Sequence, residues 1–85
     1  MGVGVNASRL TLEMAQGMIN CAGLYQTAAT VLAALQVERP DLANQVEVSD
    51  EIRQAAEQIE IDRGQAWDQL NIAAKFAPGD NALEQ

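Results

Sequence analysis

From Met14 to Val37 the chain runs 24 residues without a formal charge. Across this run, and just ahead of it, apolar and small residues return at steps of three and four: Leu10, Met14, Met18, Cys21, Tyr25, Ala28, Leu32 and Leu35. That spacing lines them along one stripe of an α-helix, and Leu24 and Val31 widen the stripe on one flank. The pattern predicts a long helix over about 8–37, capped by the side chain of Asn6 or Ser8. Ahead of it the glycine-bearing residues 1–6 form a loose lead-in. Arg39 precedes Pro40 and is pushed out of the helical region, which ends the helix near Val37.

An uncharged run of this length is long enough to cross a bilayer. Gln16, Asn20, Gln26, Thr27, Thr30 and Gln36 are spread around it, however, and they would be costly in lipid. The reading is a helix buried in protein, with no membrane role. The same segment is dense in small residues: Gly17, Ala22, Gly23, Ala28, Ala29, Ala33 and Ala34. Each glycine costs a helix interior about 1 kcal/mol relative to alanine, so their presence suggests close approach of a second helix.

Residues 38–49 read as a connector. Pro40 opens a short helical turn through Asp41–Asn44, and Val46 and Val48 close the end of the core. Ser49 and Asp50 then cap a second helix over about 50–77. Its apolar face runs through Ile52, Ala56 and Ile59, then Ala66, Trp67, Leu70, Ala73, Ala74 and Ala77, and Arg63 lies at the seam with its guanidinium available to an acid. Continuity of phase favours one helix. The polar trio Asp62-Arg63-Gly64 and the off-stripe Ile61 and Ile72 mark a possible break near 62–64, which would make three helices in all. Pro78-Gly79 closes the element, and residues 78–85 are expected to fray.

The expected fold is therefore all-α: one domain over 1–85, an antiparallel helical hairpin. At 85 residues a lone core is marginal. One cysteine and no histidine leave no intrachain disulfide and no Cys/His zinc site to reinforce it. Association is the remaining remedy, and C2 pairing of two hairpins into a dimeric four-helix-type bundle hides both stripes. The residues expected at that interface are Met14, Met18, Cys21, Tyr25, Ala28, Leu32, Trp67 and Leu70. Tyr25 and Trp67 suit core and interface equally, each having an apolar body and a polar tip.

The net charge of −7 is carried from Glu38 onward, where eleven acids face four bases; before it Arg9 and Glu13 cancel. A surface of this sign repels phosphates, so no direct nucleic-acid binding is expected. Cys21 sits within the stripe without a basic neighbour and reads as a packing residue. Glu57 and Glu60 fall on the solvent side, and without histidine no Glu-x-x-His di-metal motif exists. No catalytic residue, cofactor or metal is expected. Residues 1–6 lack a basic lead to an apolar core, and with the single cysteine this suggests a cytoplasmic setting.

The segment Gly23-Leu24-Tyr25-Gln26-Thr27-Ala28-Ala29 resembles a stretch in the small subunits of refractile bodies, bacterial polymers that coil into ribbons. The resemblance covers under a third of the chain, and the glutamine-rich run sought after such a segment is missing between Val37 and Asn44. It implies a homopolymeric alternative and does not extend to membership. The leading functional reading is a non-catalytic adaptor, regulator or chaperone-like protein that homodimerises and binds another protein. The alternatives are a structural subunit of a larger homo-oligomer or polymer, and an accessory subunit of a larger complex.

Overall fold

Two interruptions decide how the chain folds. The computed structural model describes residues 9–76, and these form five helices: α1 (Leu12–Asn20), α2 (Tyr25–Glu38), α3 (Pro40–Ala43), α4 (Asp50–Gln58) and α5 (Arg63–Phe76). No strand occurs among the described residues. Among the described residues the fold is all-helical, as expected; the long helix read at 8–37 is divided in two, and the one read at 50–77 is broken at 59–62, just ahead of the break near 62–64 that the sequence left open.

The first division falls at Cys21–Leu24. Gly23 has φ +82°, in the left-handed region that glycine enters without a Cβ penalty. Leu24 then returns to extended backbone, with φ −114° and ψ 143°, before α2 begins. The chain turns instead of continuing, and the apolar stripe is folded back on itself. The expected use of Gly17 and Gly23 for close packing is corrected here, because a Cβ built at either would meet no neighbour within 4 Å. Gly23 serves the turn, and Gly17 lies within α1 facing open space.

The second division falls at residues 59–62, ahead of Gly64. Ile59 is extended, with φ −88° and ψ 122°. Ile59 and Ile61 both pack against the core while Glu60 between them is exposed. In a helix those two isoleucines would point about 200° apart; in extended backbone they share a side. Asp62 then starts α5 through a reciprocal capping pair. The Gln65 amide donates to Asp62 Oδ1 at 2.8 Å, and the Asp62 amide donates to Gln65 Oε1 at 3.1 Å. Gly64 lies inside the first turn and breaks nothing.

The other helix ends follow local chemistry. Thr11 Oγ1 accepts from the Met14 amide at 3.2 Å, and Ser49 Oγ accepts from the Ile52 amide at 3.2 Å. The caps proposed at Asn6 and Ser8, and the tail at 78–85, lie outside the described residues. Pro40 occupies the first turn of α3, as its missing N–H favours.

The core is organised around α2. Ala28, Ala29, Val31, Leu32, Ala33, Ala34 and Leu35 are all buried, so this helix is apolar on nearly every side. It packs against each of the other four helices, most extensively α5 and then α4. Small buried residues on the neighbours, Ala15, Ala43, Ala56, Ala66 and Ala74, let those helices approach closely. Val46 is buried and Val48 packs against the core from the connector, closing one end as anticipated.

Polar clasps hold the connector to the helices. The Gln16 side chain donates to the Glu47 carbonyl at 2.9 Å and accepts from the Glu47 amide at 2.7 Å. Arg53 donates to the carbonyls of Ala43 and Val46, both at 3.0 Å. Arg39 grips Asp41 with two bonds, at 3.0 and 2.8 Å, and donates to the Leu10 carbonyl at 2.9 Å. The hydrogen bonds from Arg39 hold the Asp41 carboxyl below its ordinary range. That contribution to stability is present above the unfolded-state value and is lost as pH falls through the folded one.

The two glycines make opposite predictions. Gly17→Ala should raise stability by about 1 kcal/mol, since it adds helix propensity in open space. Gly23→Ala should lower it by about 1–2 kcal/mol, since alanine is strained at positive φ. Denaturant midpoints of the two variants check this; equal signs would contradict the turn.

Within the core, Leu32→Ala should cost about 2–5 kcal/mol by leaving a cavity at a fully buried site. Thermal unfolding followed by circular dichroism measures that loss.

Candidate functional site

Folding α1 and α5 onto α2 leaves an apolar groove between the three helices, with a volume of about 320 Å³. Met18 and Val31 lie at its base, 2% and 1% exposed. Cys21 and Ala22 contribute from the end of α1, Thr27 from the first turn of α2, and Gln69, Ile72 and Ala73 from α5. No lining residue carries a formal charge. Ile72 is 50% exposed beside it, and Leu24, one turn before Thr27, is 70% exposed.

Leu24 breaks two local rules together. It is a large apolar side chain in water, and it stands at the N-cap of α2, where it supplies no side-chain acceptor to the open amides. Conflicts of this kind between sequence and local structure concentrate at functional sites.

A second, polar recess of about 450 Å³ lies between the start of α2 and α4, lined by Tyr25, Glu51, Gln54, Ala55 and Gln58. The Tyr25 hydroxyl donates to the Glu51 carbonyl at 3.0 Å, tying the two helices while the residue stays 54% exposed. Glu51 at the recess and the other acids between residues 47 and 60, Glu47, Asp50, Glu57 and Glu60, are exposed, and none forms an ion pair among the described residues. Arg63 does reach an acid: its Nε lies 3.4 Å from Glu38 Oε2, although its own side chain is 75% exposed and covers little of the core.

The eight residues expected to form an interface are dispersed. Ala28, Leu32 and Leu70 are buried in the chain's own core, and Met18 is buried there as well as reaching the base of the groove. Met14 and Trp67 are half-buried against the core. Cys21 and Tyr25 are exposed. The placement of Cys21 corrects its reading as a buried packing residue; helix α1 ends at that position, so its side chain leaves the stripe. The need for a second chain to cover Leu32 and Leu70 is likewise corrected, because the turns at 21–24 and 59–62 let one chain cover them. Of the groove residues, Val31 and Ile72 stood out in sequence as flanking or off-stripe positions. Ala73 read as a stripe position and Ala22 as one of the small residues, while Thr27 and Gln69 gave no apolar signal; the convergence of all four depends on the packing of α5 against α1 and α2.

Among the described residues no group of three His, Cys, Asp or Glu side chains is placed to hold a metal ion, and no helix is long and apolar enough to cross a membrane. The 24-residue uncharged run is cut by the turn at Gly23.

No protein-family model, curated protein or solved structure matches the chain. The resemblance of residues 23–29 to refractile-body subunits stays with that segment, which here forms the entry to α2.

Core and surface are separable by experiment. Ala28→Glu should destabilise the fold by about 3 kcal/mol or more, because a carboxylate would be buried without a partner. The loss in melting temperature should be the same at low and high protein concentration, since the site lies within one chain. Gln58→Glu, on the exposed side of α4, should change melting little. A concentration-dependent deficit for Ala28→Glu would place that residue between copies.

Proposed function

We infer that this chain is a non-catalytic, acidic helical protein that acts through protein–protein contact as a homodimer, in the manner of an adaptor, regulator or chaperone-like protein. The observation that carries the reading is the uncharged groove with Ile72 half-exposed in its lining, together with the exposed Leu24 at the start of α2. Exposed large apolar residues gathered at a recess are a mark of surfaces that meet another protein. Segregation of charge supports it further. The acids of residues 47–62 crowd the connector and α4, and the groove is free of them, so the molecule offers one face suited to water and another suited to contact.

Sedimentation equilibrium tests the reading, with electron microscopy of the concentrated protein beside it. A reversible monomer–dimer equilibrium without filaments or sheets is the expected outcome. A monomer at every accessible concentration would sink the homodimer, and ordered filaments would replace it with the polymeric subunit.

A further inference from the structure

We propose that the groove face is the surface on which two copies of this chain meet, with α5 packed antiparallel against its counterpart about a two-fold axis near Ile72. This rests on the homodimer reading above and adds where the copies meet and in what register.

The argument begins with charge. Two copies that each carry −7 repel one another over most of their surfaces, and the acidic α4 side would draw a basic partner instead. The groove is lined without charge, so it is the face on which a copy meets least repulsion.

Helix α5 then supplies the register. Asp68, Ile72 and Lys75 stand at steps of four and three, which puts them on one face of the helix, and all three are exposed. At 1.5 Å per residue, the acid lies about 6 Å before Ile72 and the base about 4.5 Å after it. Neither Asp68 nor Lys75 forms an ion pair among the described residues. An antiparallel two-fold through Ile72 brings each Asp68 to the Lys75 of the other copy, so the pattern is complementary to itself. A parallel arrangement would set like against like. Such rim pairs fix orientation more than they add affinity; the apolar contact comes from the two Ile72 side chains and the recess beside each. An isologous contact of this kind closes after two copies.

Sedimentation of the full chain and its variants decides the matter by sign. Asp68→Lys lowers the magnitude of the net charge, so if bulk repulsion alone governed association it would tighten the dimer. The proposal requires it to loosen, because the introduced ammonium would then face Lys75 of the other copy. Lys75→Asp should weaken the dimer as well, each single swap by about three- to tenfold because two symmetry-related pairs are lost together. The double swap, Asp68→Lys with Lys75→Asp, should return the dissociation constant close to that of the parent at identical net charge. Ile72→Glu should leave a monomer. All of these substitutions lie on exposed positions, and unchanged circular dichroism melting confirms that each variant folds. A dimer that persists in Ile72→Glu, or tightens with Asp68→Lys, would overturn this face and register and leave the homodimer reading standing. A parent chain that stays monomeric would overturn both.

Discussion

The structure depends on one requirement, the removal of α2 from water. A helix with seven of its fourteen residues buried, and with alanine, valine and leucine on adjoining faces, is not satisfied by one neighbour. It needs cover on several sides, and a chain of 85 residues must supply that cover from short pieces. The turns at Gly23 and at residues 59–62 make this possible. The first lets α1 fold back onto α2, and the second splits the other long element into α4 and α5, which both pack on α2. A straight hairpin would have covered one side and left the rest to a second chain.

Short helices bring their own cost, since every added end leaves backbone groups without intrahelical partners. Much of the polar chemistry in the molecule is placed at those ends. Thr11, Ser49 and Asp62 accept from first-turn amides, while Arg53 and Gln16 engage the backbone of the connector. Arg39 joins the segment ahead of α1 to the start of α3. Long polar side chains bonded to backbone carbonyls thus do in this histidine-free, disulfide-free chain what cross-links do in other small domains.

The same arrangement shapes the surface. Cations at Arg39, Arg53 and Arg63 are engaged with carbonyls or with the single acids Asp41 and Glu38, leaving Glu47, Asp50, Glu51 and Glu57 in water. Large apolar side chains stay exposed at Leu24, which enters α2 without a capping oxygen, and at Ile72 in the lining of the uncharged groove. The proposed contact function follows from this separation of a charged side from an uncharged one, and the proposed two-fold from the order of charges along α5.

Much of the fold was written in local sequence. The period of the apolar residues determined that the chain is helical, Pro40 and Ser49 determined where two helices begin, and Val46 determined the plug between them, because these depend on a few neighbouring residues. The D-x-x-Q box at Asp62–Gln65 was equally local, and it marks the α5 start more sharply than Gly64 does. Tertiary structure decided the rest. The stripe from Leu10 to Leu35 stays in phase straight through Gly23, so periodicity cannot register a turn there; packing α1 and α5 on different sides of α2 is what makes the left-handed glycine worth its conformational cost. Ala28, Leu32 and Leu70 looked available to a partner because amphipathic pattern reports which residues must leave water, and not whether their cover comes from the same chain. The groove around Ile72 belongs to tertiary structure, since it exists where α5, distant in sequence, packs on α1 and α2 without closing the gap between them.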